Sequence, residues 1–512
     1  MKKSTRVLAA ALCGILLLPA AGCGEKETTG GDENLDLSVH LHIYDYCVFD
    51  DDWAIFKEAE EKTGVALHGT AVETISSSAQ AFSTMLADRT LPDIIAYTGD
   101  ELKENGMQGA LIPLEDLIEE HAPNIQKFFE ECPEAKVAAT ATDGHIYYIP
   151  GTLAQPGLGN LPSMGFFIRQ DWLDALGLET PTTVDEYYNV LKAFREQDPN
   201  GNGQQDEIPY FKRSGVLDDL YQLFGAKNSF YLNADGGISY GATEEAYKNA
   251  VKELAKWYSE GLIDKEIYTR GEQSREQLLS SNLGGSTHDW FSSTASYNDK
   301  YLGFGLNFVP MAPPADINGV VKEDIGRSIL HGLGWGISKD NKNPERTMEY
   351  FDFWLSEEGT LLHSFGIEGK DYTVENGEYQ FVPEVLNAEG GVPAYLRNEG
   401  AVVEFGAINR IEAELAGMND LAKEGFNMYL DNGYVQPQMP SLGFTEEEQN
   451  VINAHLTDIQ TFCKEQEQKW ILGAEDVDAT WDNYVATLQS MNLDQVIAAY
   501  NSAYVRYQQE LN

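Results

Sequence analysis

The sequence predicts a two-lobed α/β fold whose carboxyl-terminal part is helical. Three observations carry this. The chain has 512 residues, well beyond one ordinary domain. The segment from Leu37 to Tyr97 alternates strand and helix patterns in the order βαβαβ, and the stretch from Glu446 to Leu511 is helical nearly throughout.

The first element is a leader. Met1-Lys2-Lys3 with Arg6 forms a basic start, and Val7 to Leu18 is an almost unbroken apolar run ending at Pro19. About a dozen apolar residues is short of the roughly 20 needed to cross hydrocarbon as a helix. Ala20-Ala21-Gly22-Cys23 resembles a bacterial lipobox, so residues 1–22 read as a lipoprotein signal peptide and Cys23 as the lipidated first residue of the mature chain. Residues 24–34 (GEKETTGGDEN) have no large apolar side chain to offset the entropy of ordering, so 23–35 is expected to be a flexible tether.

In the folded part, Leu37 to Tyr44 (LSVHLHIY) alternates as a strand does. Trp53 to Lys62 reads as a helix, Val65 to Val72 as a strand, Ser77 to Leu86 as a helix and Leu91 to Tyr97 as a short buried strand. This order implies right-handed crossovers, a parallel sheet and a ligand beyond the carboxyl ends of its strands, where Tyr44, Tyr46 and Tyr97 lie. The middle is mostly helical. Thr183-Val-Asp-Glu186 reads as a capping box for a helix to about Gln197, and Glu244 to Glu260 is another helix. The Gly-rich Leu283 to Thr287 reads as a break, Leu302 to Val309 as a strand, and Glu345 to about Glu357 as a helix.

The formal net charge is −47, and residues 1–22 hold three cations and no acid. Such a surface repels phosphate backbones, which excludes nucleic acid as a partner. Beyond Cys13 and Cys23, the cysteines are Cys47, Cys132 and Cys463, enough for at most one internal disulfide.

Several strings occur in order over about three-quarters of the chain: Glu61-Lys-Thr-Gly64, Leu91-Pro-Asp-Ile-Ile95, Asp143-Gly-His-Ile-Tyr-Tyr-Ile-Pro150, Arg169-Gln-Asp-Trp-Leu173, Ala175-Leu-Gly-Leu178, Asp198-Pro-Asn-Gly-Asn-Gly203, Tyr258-Ser-Glu-Gly-Leu-Ile263, Asn343-Pro-Glu345 and Gly366-Ile-Glu-Gly369. Together they resemble extracellular solute-binding protein family 1, in particular its large oligosaccharide-binding lipoproteins. The resemblance implies a periplasmic-binding-protein-like fold: two lobes, a hinge of crossing strands, a ligand enclosed there, and delivery to an ABC permease in the membrane. On that plan residues 36–155 with about 290–345 form the amino-terminal lobe. About 156–289 with 346–512 form a mostly helical carboxyl-terminal lobe.

Within the second lobe, the loop 198–207 has the spacing of an EF-hand-type calcium site. Asp198, Asn200 and Asn202 supply alternate oxygens, Gly203 permits the sharp turn at the sixth position, Gln204 offers its carbonyl and Asp206 stands at the ninth. Pro209 replaces the bidentate Glu of the full motif; in the resembling family Glu207 completes the shell. The calcium is expected to be structural. The ordinary alternative is a polar turn after a helix.

A sugar needs flat aromatic faces and planar polar groups. The ligand candidates are Asp289 and Trp290, after the Gly-rich segment; Tyr44, Tyr46 and Tyr97 at strand ends; Trp335 within Gly332-Leu-Gly-Trp-Gly336; Glu368 as a hydroxyl acceptor; and Arg169 for an acidic sugar. For Trp335 the flanking glycines equally suit a closely packed strand, and Trp172 has the helical spacing of a core residue. His40 and His42 share one strand face, which a half-exposed strand explains without a metal. No G-x-S-x-G or H-E-x-x-H is present. The expected function is therefore a monomeric, non-catalytic receptor, lipid-anchored on the outer face of the cell membrane, capturing an oligosaccharide. The alternatives are a peptide or small-metabolite receptor, a surface polysaccharide-degrading enzyme, or a structural lipoprotein.

Overall fold

The computed structural model describes residues 34–511 except 72, 73, 159, 214, 302 and 304. The signal, Cys23 and nearly all of the tether lie outside the described residues. The chain enters a strand at Leu35, whose amide bonds the Gly64 carbonyl at 2.9 Å.

The βαβαβ start forms as its alternation indicates. Strand Leu35–Ile43 lies between Val65–Gly69 and Ile94–Thr98 and pairs parallel to both. Leu330–Ile337 then joins antiparallel beside Ile94–Thr98, and Ile149–Thr152 closes the far edge. Helices cover this sheet, so Leu37, Val39, Leu41 and Ile43 are buried. Each such side chain contributes about 1.5–3 kcal/mol of hydrophobic stabilisation. His40 and His42 are buried with them at 2% and 1% exposure, which corrects the expectation of a half-exposed strand: a sheet covered on both faces leaves neither side of its inner strands in water.

The second sheet runs in the order Phe308–Met311, Met164–Arg169, Gly284–Trp290, Ile208–Tyr210. Its Gly284–Trp290 strand is the Gly-rich segment read above as a break. A Cβ on Gly284 would lie 2.6 Å from the Phe211 ring, and one on Gly285 2.8 Å from Phe194 and 2.9 Å from the Pro209 carbonyl. The glycines thus let two covering layers approach a buried strand rather than interrupt it. The three carboxyl-terminal helices, Glu446–Ile471, Val477–Ser490 and Leu493–Glu510, join the core of this lobe through Trp470, Trp481, Tyr484 and Val496. The first opens on a full capping box, Thr445 with Glu448. At Thr183 only half of the expected box forms: its hydroxyl accepts from the Glu186 amide, while the Glu186 carboxylate turns to Thr182.

The structure corrects the expected lobe boundaries. Helices Pro344–Phe353 and Glu357–Phe365 join the core of the first lobe, where Trp354 meets Phe56 with ring centres 5.1 Å apart; helix Asp420–Asp431 then returns to the second sheet, where the Tyr429 hydroxyl accepts from the Phe166 amide at 2.9 Å and donates to the Met311 carbonyl at 3.0 Å, ahead of helix Glu446–Ile471. Phe308–Met311, assigned above to the first lobe, is a strand of the second sheet. Helical periodicity marks a face to be buried but not the sheet that buries it. Two short crossing strands, Leu161–Pro162 and Gly326–Arg327, pair between the lobes. A third crossing passes beside them, bonded by Glu323 N–H to the Tyr434 carbonyl and Gln436 N–H to the Glu323 carbonyl, both 2.8 Å.

Candidate functional site

A cavity of about 890 Å³ opens beside these crossings. Asp100, at the first turn after strand Ile94–Thr98, is its contribution from the first lobe. The crossing segments add Lys322, Asp324, Gln436 and Gln438; hairpin strand Phe230–Leu232, Phe444 and Tyr500 supply aromatic surface. Phe230 and Tyr500 stack at 4.1 Å with 10° between planes, and Phe444 meets Tyr500 edge-on at 5.0 Å. Half-buried aromatic faces opposite fixed polar groups suit a molecule that is apolar on ring faces and polar at its edges.

The polar end is held from behind. His288 and Glu323, both wholly buried, face each other at 2.9 Å. Burial pulls the His288 pKa down, yet the Glu323 carboxylate outweighs it and the pKa stands above the usual histidine value. Glu323 also accepts the Ile325 amide, and the Asp324 amide donates to Gln222 at 2.7 Å. Segment 323–325 is thereby locked where it enters the cavity.

None of the ligand candidates named from the sequence lines this cavity. Tyr44 and Tyr46 form a separate lip on the first lobe. Tyr44 and Asp45 both have positive φ, 56° and 62°, in the turn joining Leu35–Ile43 to Cys47–Val48. Asp45 exchanges two 2.6 Å bonds with Ser78, which pins that turn to a helix start. The two tyrosine rings stack at 6.0 Å, exposed by 51% and 73%, and the Tyr44 hydroxyl donates to Glu404. Tyr97 lies flat on Phe82 at 4.1 Å, half-buried at the next strand end.

Three other candidates are already engaged by their surroundings. Trp335 is buried in the first core, stacked on Phe351. Arg169 is buried, ion-paired with Asp171, bonded to Asn282 at 2.7 Å and placed over Trp172 at 4.5 Å; Trp172 is a core residue, as its spacing indicated. Asp289 accepts two bonds from Arg213, one from Arg275 and one from the Trp290 amide, which exhausts its lone pairs. Glu368 sits on an exposed first-lobe loop, bridged through its backbone to Tyr372. Trp290 itself remains 39% exposed. Sequence reasoning missed Lys227, Lys322, Asp324 and the Gln436–Gln438 stretch because they lie in loops without periodicity. The Pro-rich Gln436-Pro-Gln-Met-Pro440 was the one local signal available.

The loop 198–207 folds as an Asx-rich turn. Asp198 has φ 48°, and Gly201 and Gly203 have 70° and 78°. Asp198 accepts the amides of Asn202 at 3.1 Å and Gly203 at 2.9 Å, Asn202 accepts that of Gln204 at 2.7 Å, and Asp206 accepts from the Asn200 and Asn202 side-chain amides. Glu207 is buried, and neither carboxylate oxygen has a hydrogen-bond partner. Burial, with Asp198 and Asp206 nearby, raises its pKa. An orphaned buried carboxylate beside two more acids fits a divalent cation. Among the described residues no three His, Cys, Asp or Glu side chains are gathered for a metal, so amide and backbone oxygens would complete the shell. Cys47, Cys132 and Cys463 are all free thiols.

The profile of the bacterial extracellular solute-binding proteins matches residues 52–361. The chain belongs to that family. This solute-binding protein is 28% identical over 497 residues to the fructooligosaccharide ABC transporter substrate-binding protein FusA of Streptococcus pneumoniae, covering 90% of this chain and 88% of FusA. It superposes on alginate-binding protein AlgQ2, solved without calcium ion, with TM-score 0.77, 36% identity, and coverage of 93% of this chain and 98% of that one. FusA in complex with kestose superposes with TM-score 0.71 and 25% identity over 93% and 99% of the two chains. An EF-hand mutant of FusA in complex with fructo-nystose gives 0.70 at 25% identity over 93% and 99%. The two-lobed α/β fold of the solute-binding protein is shared by all three structures.

Proposed function

We propose that this solute-binding protein is the non-catalytic capture subunit of an ABC importer, closing its lobes on an oligosaccharide and passing it to a membrane permease. The observation that carries the reading is the cavity of about 890 Å³ beside the crossing segments, with stacked aromatics at one end and fixed polar groups at the other. The glycans named with FusA and AlgQ2 support it. Closure is a hinge motion about Leu161–Pro162 and Gly326–Arg327, the kind binding proteins of this shape use. Tyr44, Tyr46, Tyr97 and Trp290 extend the sugar-binding surface at the lobe edges, and the protein works as a monomer.

Asp198, Asn200, Asn202, Gln204, Asp206 and Glu207 hold one structural calcium ion. Residues 1–22 are a cleaved signal, and lipidated Cys23 anchors the protein to the outer face of the cell membrane. Among the described residues no helix is long and apolar enough to cross a membrane.

The test is a thermal-shift screen of the protein against glycan and peptide panels, with mass spectrometry of the ligand afterwards. A glycan that raises the midpoint and is recovered intact supports capture. A cut glycan replaces this reading with a hydrolase, and a peptide hit replaces it with a peptide receptor. Membrane fractionation of a Cys23→Ser variant tests the anchor.

A further inference from the structure

The charges around the cavity are arranged in a way that selects among glycans. Four carboxylates, Asp100, Asp218, Glu244 and Asp324, line it against two lysines, Lys227 and Lys322. Both lysines are turned onto one carboxylate: Lys227 Nζ lies 2.7 Å from Asp324 Oδ1, and Lys322 Nζ lies 3.3 Å from Oδ2. Asp218 is matched from behind by Lys212 at 2.6 Å, and Asp100 by Lys103 at 3.2 Å. Each lysine of the lining therefore already has an anionic partner.

The Asp324 side chain is about nine-tenths buried, and its carboxylate is engaged by the two ammoniums, one on each oxygen. Its backbone is fixed on both sides, by Gln222 to the amide and by Gln438, whose side chain donates to the Asp324 carbonyl at 3.2 Å. A carboxylate has about four acceptor positions, so two ammoniums leave room for a neutral donor, and a sugar hydroxyl supplies one. A second carboxylate brought in by the ligand would compete with Asp324 for the same two ammoniums, since Lys212 and Lys103 are already held by Asp218 and Asp100. The chain's charge of −47 adds long-range repulsion.

We infer that Asp324, clamped between Lys227 and Lys322, makes this cavity a receptor for neutral oligosaccharides and excludes uronic-acid chains. The inference rests on the capture reading above and narrows its ligand class. Arg169, paired with Asp171 and bonded to Asn282, offers no site for an acidic sugar.

The experiment is calorimetric titration of the purified protein and an Asp324→Asn variant with neutral fructo-, xylo- and manno-oligosaccharides and with oligogalacturonate and oligomannuronate of matched length. The wild type is expected to bind a neutral glycan and no oligouronate. Asp324→Asn is expected to lose about tenfold or more for the neutral ligand, the scale of one hydrogen bond to a charged group, and to gain oligouronate binding through the two freed ammoniums. Wild-type preference for an oligouronate overturns the inference and leaves capture standing. Binding of neither class overturns the capture reading itself. An Asp324→Asn protein with native circular dichroism and both affinities unchanged removes Asp324 from the role. If that variant does not fold, the wild-type comparison still decides the ligand class.

Discussion

The indole of Trp335 lies flat on the ring of Phe351, with centroids 4.3 Å apart and 9° between planes. The pair fastens helix Pro344–Phe353 onto strand Leu330–Ile337, six residues before it in the chain. Neighbouring glycines make room: a Cβ on Gly334 would meet the Ile149 carbonyl at 2.3 Å, and one on Gly336 the Tyr147 carbonyl at 2.3 Å. Glycine beside a large aromatic here marks close strand packing, with the aromatic turned into the core.

Trp335→Ala should therefore destabilise the protein by about 3–5 kcal/mol, the scale for removing a large buried aromatic. Glycan affinity of the remaining folded protein should change little. Urea unfolding alongside calorimetric titration checks both; a selective loss of affinity at unchanged stability would return Trp335 to the ligand site.

Tyr46→Ala should behave in the opposite way. The side chain is 73% exposed, so stability should move by no more than about 0.5 kcal/mol. If the Tyr44–Tyr46 lip carries a sugar face, affinity should fall by about 1 kcal/mol, roughly five- to tenfold. Equal affinity in the variant would confine the ligand to the inner cavity.

Calcium should raise the unfolding midpoint and a chelator should lower it. Saturation at about 100 times the dissociation constant stabilises by about 2.7 kcal/mol. Glu207→Gln should abolish that response, because it removes the charge of the buried carboxylate beside Asp198 and Asp206. Metal-independent midpoints in the wild type would reduce loop 198–207 to a polar turn.

Acid should weaken the first lobe well before its carboxylates titrate. Burial pushes the pKa of His40 down to about 4, with His42 adding to the shift. It pushes His331 down to about 3, with His363 adding, and His363 to about 4. These rings fold neutral, so their contribution is complete above the unfolded value near 6.5 and is lost as pH falls through 6.5 towards 4. Each is worth roughly 3 kcal/mol over that window. Buried Glu467, whose pKa burial raises, runs the other way and gains as it protonates. Denaturant midpoints measured from pH 7 to 4.5 should fall, and His331→Gln should flatten the slope; a flat wild-type profile would sink the account.

What was legible in the sequence was local. The alternation of Leu37 to Tyr44, the helical spacing around Trp172 and the Asx-Gly pattern of Asp198 to Gly203 each involve residues within a few positions of one another, whose periodicity and turn chemistry survive without tertiary contacts. The family strings were likewise visible as an ordered series. The sequence could not show which sheet the helix Pro344–Phe353 would cover, nor that Gly284 and Gly285 would sit inside a strand. Nor could it show that Arg169 and Asp289, two attractive polar candidates, would be consumed by partners as distant as Asn282 and Arg213. The cavity is the clearest case. Asp100, Lys227, Asp324, Gln438 and Tyr500 come from five separate stretches, and only closure of three crossing segments brings them together. Which polar groups face a ligand depends on which others have already found a partner in the folded chain, and that is decided by long-range packing rather than by spacing along the sequence.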